Sequence, residues 1–206
     1  MRTVLDSATT TAISDSVHAI ERCSCAEIVV EIRSRSGSYA HADARFASLV
    51  ALVALIVLLF SPWTFRAGWV VIDVAIAWAI GWFIASRSDF VRRAMTSEGE
   101  RDGQVHLLAS SVFHDRGVAN TQDETGVLVY LSLLERRMEV LADRGVLKGV
   151  PSLAWNQIVA IVRARRAGTE TLLETLRALT PLLEQHLPIK EGDVDELCNV
   201  PRFVSE

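Results

Sequence analysis

Residues 46–86 read FASLVALVALIVLLFSPWTFRAGWVVIDVAIAWAIGWFIAS, and they form the longest apolar part of the chain. Residues 46–65 carry no charge, and residues 67–86 carry one, Asp73. A helix of roughly 20 mostly apolar residues crosses a bilayer core of about 30 Å. Ser61, Pro62 and Trp63 predict a tight turn between two such helices. We therefore predict a transmembrane hairpin over residues 44–86, with the lipid bilayer as its surroundings.

The charges beside the hairpin predict its orientation. Six arginines flank it on the side of the two termini, and only Arg66 lies in the turn: Arg33, Arg35, Arg45, Arg87, Arg92 and Arg93. Positive charge collects on the cytoplasmic side of membrane proteins. The first ten residues hold no apolar run of the kind found in a signal peptide. We expect a two-span protein of the inner (plasma) membrane, with both flanking parts in the cytoplasm.

Composition limits the partners and the cofactors. The formal net charge of the 206 residues is −4, which argues against a nucleic-acid partner because such proteins present basic patches. Cys23, Cys25 and Cys198 are too few for a disulfide framework or for a structural zinc site of four ligands.

Alternation and helical spacing outside the hairpin predict an α/β fold. Residues 26–33 read as a strand with Ile28, Val30 and Ile32 on one face, while the face of Glu31 is expected to be largely solvated or at an edge. Leu153, Ile158, Ile161 and Val162 are expected to point inward from a helix. The remaining predicted segments are helices over 6–22, 103–115, 153–166 and 170–187, strands over 126–133 and 137–143, a linker over 87–102 and a mobile acidic tail over 188–206.

These segments predict an α/β sandwich with a small mixed sheet flanked by helices. The strand before the hairpin must pair with the strands after it. Residues 1–40 and 103–187 then form the two parts of one domain, and the hairpin interrupts that domain.

The chain resembles the TPM domain family, which includes thylakoid-lumen photosystem-repair proteins and the MOLO receptor modulators. The stretches that carry the resemblance are AEIVVEIR at 26–33, the small residue, aromatic and glycine at Ala109, Phe113 and Gly117, TGVLVYLSLLERRMEVLADRG at 125–145, and ARRAGTETLLETL at 164–176. The resemblance implies the same α/β fold. Acid phosphatase activity and calcium binding are attributed to some members. Residues 141–145 depart from the Gly-Tyr-Gly-like turn of many members.

Asp143 and Arg144 are the candidate catalytic residues. A carboxylate at a strand end can act as a nucleophile or an acid, and an adjacent arginine can hold a phosphate through two hydrogen bonds. The alternative is a structural turn, because Asp and Gly are favoured in turns. We predict that Asp143, Arg144 and Gly145 form such a turn after the strand.

Asp115, Asp123 and Glu124 are the candidate metal ligands. They share a polar loop, and several oxygen ligands of this kind can hold calcium or magnesium. A solvated acidic loop is the alternative. Asp73 is a separate candidate, because an ionisable group in a membrane span is costly unless it has a function or a partner such as Ser48 or another protomer.

Two functions follow from these observations. The first is a membrane-anchored α/β module that binds or assembles partners at the cytoplasmic face, either a membrane protein or a second copy joined through small residues such as Ala47, Ala51 and Ala54. The second is a phosphatase-like hydrolase built on Asp143 and Arg144, with calcium or magnesium as its cofactor.

Overall fold

The computed structural model describes residues 6–63, 65–190, 197 and 200–204. The chain divides into two compact units, one of residues 37–101 and one of residues 1–36 with 102–206. The second unit is the mixed α/β domain that the sequence predicts.

The α/β unit contains a sheet of four strands in the order β3-β2-β1-β4. The strands are β1 (Glu27–Arg33), β2 (Gly126–Ser132), β3 (Arg137–Ala142) and β4 (Arg202–Val204). β1 is parallel to both β2 and β4, and β3 is antiparallel to β2. The pairing predicted between the strand before the hairpin and those after it is therefore confirmed. The register aligns Glu31, Tyr130 and Glu139 in one row across the sheet.

One face of the sheet packs against three helices, α1 (Ser7–Glu21), α7 (Ser152–Ala164) and α8 (Thr169–His186). The largest fully buried aliphatic side chains of this layer are Ile13, Ile20, Ile28, Ile32, Leu131, Leu172, Leu176 and Leu179. The expectation for α7 is wrong at two positions, because Leu153 and Ile161 are exposed. Trp155 and Val162 are the buried residues of that helix instead.

The opposite face of the sheet is covered by α5 (Glu98–Asp115). Val105, Ala109, Val112 and Phe113 of α5 form a second apolar cluster with residues of β2. The prediction that the Glu31 face is largely solvated or at an edge is therefore wrong, because a helix that is distant in sequence packs over it and β1 lies between β2 and β4.

Two further predictions need correction in the α/β unit. The predicted turn at Asp143, Arg144 and Gly145 is absent, because α6 (Arg144–Gly149) begins there with Asp143 as its N-cap. The prediction of a mobile tail is wrong for the tail residues that the structure places in contacts. Pro188 forms a bridge with Ser24, and β4 adds the edge of the sheet beside β1, whose backbone groups would otherwise be unpaired on that side.

The other unit contains α2 (Ala40–Phe60), α3 (Ala67–Arg87) and α4 (Asp89–Ala94). By length and composition, α2 and α3 are candidate membrane spans. They pack closely at Gly81, where an added Cβ would lie 2.9 Å from the Cα of Ala47. Ala47 and Ala51 are buried in this packing, so these small residues are already used within the hairpin.

The predicted linker over 87–102 is largely helical, which corrects the sequence interpretation. The sequence of this segment has no apolar period, and polar contacts stabilise its helices instead. The Ser88 hydroxyl caps α4 by accepting from Val91 N, and Ser97 accepts from Glu100 N in the first turn of α5. Arg92 donates to both oxygens of Asp43 at 3.0 and 2.8 Å, and these hydrogen bonds raise the pKa of Arg92.

Candidate functional site

Asp143 lies where β3 ends and α6 begins. Its Oδ1 accepts a hydrogen bond at 2.7 Å from Arg144 N, the first backbone N–H of α6, so Asp143 is the N-cap of this helix. Its Oδ2 is buried and has no hydrogen-bond partner among the described residues. The Arg144 side chain is exposed. The structural role of Asp143 is thus a helix cap, and its second carboxylate oxygen is left unpaired within the described part of the chain.

The loop over residues 121–125 lies directly against this helix start. Gly145 N donates to Glu124 O at 2.8 Å, and a Cβ on Gly145 would lie 2.4 Å from Asp123 O. Glycine is required there because the two backbones approach so closely. The structure therefore brings the backbones of Asp123 and Glu124 next to the start of α6.

The side chains of these two acidic residues are paired with lysines. Asp123 accepts from Lys190 at 2.5 Å, and Glu124 accepts from Lys148 at 3.4 Å. Asp115 accepts from Ser111 of its own helix at 3.1 Å. Within the described part of the chain, no group of three or more His, Cys, Asp or Glu side chains is placed to hold a metal ion. The calcium or magnesium site at Asp115, Asp123 and Glu124 stays a prediction.

A buried ion cluster lies on the face of the sheet that α5 covers. The carboxylate of Glu31 is fully buried and accepts from Arg33 Nε at 2.7 Å. Arg116, just after α5, donates to it from Nε and Nη2 at 2.8 and 2.7 Å. A buried carboxylate with two guanidinium partners is compensated, so this cluster fastens the end of α5 to β1.

Tyr130 belongs to a hydrogen-bonded network beside this cluster. Its hydroxyl lies 2.8 Å from Ser36 Oγ, which donates in turn to Ser132 Oγ at 2.8 Å. Ser132 Oγ donates a hydrogen bond to the carboxylate of Glu135, which also accepts one from Ser36 N. Burial raises the pKa of Tyr130 to about 12, because it disfavours the phenolate.

A cleft opens between α5, β3 and α7. It has a volume of about 440 Å³, and its polar lining consists of Asp102, His106, Arg137, Glu139 and Arg163. The carboxylate of Glu139 meets His106 Nδ1 at 3.0 Å and Arg163 Nη2 on the same oxygen, Oε1. Arg137 donates to Asp102 at 2.6 Å. The cleft therefore contains a buried carboxylate, Glu139, in contact with an imidazole, His106.

The sequence interpretation missed the cleft. A weak signal was available in β3, where Arg137 and Glu139 alternate with the apolar residues Met138 and Val140. Their partners come from two helices, and no spacing pattern in the sequence connects His106 or Arg163 with Glu139.

Asp73 lies in α3 and is partly buried. No hydrogen bond or ion pair joins its carboxylate to any residue that the structure describes. Ser48, a predicted partner, instead accepts from Trp78 Nε1 at 3.4 Å.

Comparisons with known proteins support the fold alone. No family model matches the chain, and no curated protein matches it. An NMR structure of the BA42 protein from the psychrophilic bacterium Bizionia argentinensis is similar, with a TM-score of 0.59 and 15% sequence identity. The match covers 99% of this chain and 98% of that one. At this identity the similarity shows a shared α/β architecture.

Proposed function

We propose that the chain is a membrane-anchored α/β module that binds a partner at the cytoplasmic face of the inner membrane. The apolar surface of the hairpin carries this proposal. Only 17% of the most apolar part of α2 and 6% of that of α3 is buried within the protein. A core helix of a soluble protein would be covered by its neighbours, so lipid is the surroundings that this surface fits.

Membrane insertion and orientation can be tested together in bacterial cells. The three cysteines are replaced by alanine, and a single cysteine is placed either in the turn by Trp63→Cys or on α7 by Asn156→Cys. Both positions are exposed. We expect the protein to stay in the membrane fraction after a carbonate wash. A membrane-impermeant maleimide should label position 63 in intact cells and position 156 only after lysis.

Two results would contradict the proposal. Release of the protein by carbonate would show that the hairpin is not embedded, and labelling of position 156 in intact cells would reverse the orientation.

The partner is a neighbouring membrane protein or a second copy of the chain. A photo-crosslinking residue at Leu153, which is exposed on α7, would test this in native membranes. A product of twice the chain mass supports self-association, and a defined product of another mass supports a separate membrane protein. Absence of any product from Leu153 and from a second exposed site, Leu147, would argue against a binding role.

A second candidate function is a phosphatase-like hydrolase, as the TPM resemblance implies. One observation favours it, namely the buried Oδ2 of Asp143 without a hydrogen-bond partner among the described residues. Asp143 precedes the exposed Arg144, and Gly145, two residues on, contacts the backbone of Asp123 and Glu124. An oxygen of this kind could bind a cation, and it could attack a phosphoryl group once the side chain turns towards the substrate.

The hydrolase is tested by assaying the detergent-purified chain on an aryl phosphate with calcium, magnesium or chelator. Asp143→Asn separates the catalytic role from the capping role, since Asn caps a helix as well as Asp does and only the charge is lost. Glu170→Gln, in the exposed first turn of α8, is the matched control. Activity lost only in Asp143→Asn supports the hydrolase. Equal activity in both variants, or none in the parent, rejects it.

A further inference from the structure

We propose that the cleft between α5, β3 and α7 is a binding site for a small oxyanion, a phosphate or a carboxylate, held by Arg163 and His106. This site is distinct from the corner at Asp143. It also uses no residue of the hairpin, so it goes beyond the anchoring function and does not depend on it.

Glu139 organises the cleft. Its side chain is only 6% exposed, and a buried carboxylate is costly unless it is paired. His106 from α5 and Arg163 from α7 both meet its Oε1. Because the carboxylate is the acceptor, Nδ1 carries a proton, and Nε2 becomes a second donor when the ring is the doubly protonated imidazolium. The other ring nitrogen, Nε2, is bonded by no residue in the described part of the chain.

Arg163 also has donors to spare. A guanidinium carries five N–H groups, and Glu139 accepts from only one of its nitrogens, Nη2. The side chains of Arg163 and His106 are 55% and 54% exposed, although each is fixed at one end by a buried group. Both therefore present hydrogen-bonding groups to the cavity in a fixed position, which lowers the ordering cost of binding.

The groups that are still available select an anion. Both carboxylates of the cleft already accept hydrogen bonds, Asp102 from Arg137 and Glu139 from His106 and Arg163. A cation would compete with these arginines, whereas an oxyanion would meet the remaining N–H groups of Arg163 and, with His106 in its imidazolium form, the Nε2–H of that ring. The planar fork of a guanidinium matches two oxygens of a carboxylate or phosphate. The volume of about 440 Å³ lies within the range of small-molecule sites.

The test measures binding to the full chain in detergent micelles at constant ionic strength. The probes are inorganic phosphate, acetate and tetramethylammonium, the last as the cation control. Calorimetry gives the Kd, and ¹⁵N resonances of the histidine side chains report on Nε2 of His106, which is assigned by its loss in His106→Gln. We expect saturable binding of at least one oxyanion, with a shift at that nitrogen.

Arg163 and Arg165, which lie two residues apart, give a matched pair of variants. Arg163→Gln should weaken oxyanion binding by about tenfold or more, the effect of losing a charged hydrogen bond. Arg165→Gln should leave it unchanged. Arg165 is 56% exposed and is paired with Glu174, as Arg163 is with Glu139, but it does not line this cleft.

Several outcomes would overturn the proposal. These are no saturable oxyanion binding, equal binding of tetramethylammonium, or equal weakening in both arginine variants. If Arg163→Gln lowers the Tm, His106→Gln takes its place, because that side chain is half exposed, and it should still weaken binding. Binding that is unchanged in His106→Gln would then reject the site.

Discussion

Glu31 is a carboxylate with no exposed surface, and it is held between two arginines. Glu31→Ala leaves Arg33 and Arg116 close together at the sheet without their counter-charge. Removing one partner of a buried ion cluster costs about 3–5 kcal/mol. We expect this loss in the free energy of unfolding, measured by urea titration in micelles. The exposed pair of Glu174 and Arg165 is the control, and Glu174→Ala should cost less than about 1 kcal/mol. Equal losses in the two variants would contradict this account.

Tyr130 gives the unfolding free energy a dependence on alkaline pH. Its pKa is about 12 in the folded chain, against an ordinary value near 10.0, because burial disfavours the phenolate. Its contribution is complete below pH 10 and is lost as the pH rises towards 12, since the unfolded chain loses the proton first. The loss is on the order of 2 kcal/mol.

Tyr130→Phe is the variant that isolates this effect. It removes the hydroxyl that titrates, so its unfolding free energy should fall less steeply between pH 9 and pH 12 than that of the parent. Denaturant titrations at each pH measure the difference, in which the contributions of the other titrating groups cancel. Parallel curves for the two proteins would show that Tyr130 is not the group responsible.

For single residues, the sequence identifies candidate site residues that lie near one another in the chain. It does not identify those that only the fold brings together. Asp143 could be selected because it follows a strand and precedes a glycine. Glu139 could not, because its partners His106 and Arg163 lie 33 and 24 residues away. Only the positions of α5 and α7 beside β3 bring these three side chains together.

Among the elements, the start of β2 depends on a close approach of two backbones. A Cβ on Gly126 would lie 2.0 Å from Val118 O, so Gly126→Ala must displace either the strand or the turn over residues 118–120. We expect a loss of about 3 kcal/mol or more in unfolding free energy. Gly103→Ala, with open space in α5, should instead stabilise the chain by up to about 1 kcal/mol. Thermal unfolding of the two variants should shift in opposite directions, and a shared direction would contradict this interpretation.

The elements predicted correctly are those with a clear apolar period. β1 and β2 show alternation or a continuous aliphatic run, and α8 carries leucines at helical spacing. The elements that were missed, α4, α6 and β4, have six, six and three residues. They are stabilised by caps, by the part-buried ion pair of Arg92 with Asp43 and by pairing with the edge of β1, and none of these produces an apolar period.

For the whole molecule, the notable property is that a sheet is built from segments on both sides of an inserted hairpin. β1 precedes the hairpin and pairs along its full length with β2, which follows it. Both apolar clusters of the α/β unit are formed by residues before position 37 or after position 101. The domain therefore contains its own core, and the hairpin contributes to neither cluster.

We predict that this domain folds without the hairpin. Residues 37–101 are replaced by a flexible Gly/Ser linker of about 15 residues, whose root-mean-square span is roughly 22 Å. The resulting protein should dissolve without detergent and show a cooperative thermal transition, because both apolar clusters remain. A second deletion that extends to residue 115 serves as the control, since removal of α5 uncovers Leu128 and Tyr130 and should cause aggregation. If the first protein also aggregates while a longer linker makes no difference, the hairpin is part of the folding unit and not only its anchor.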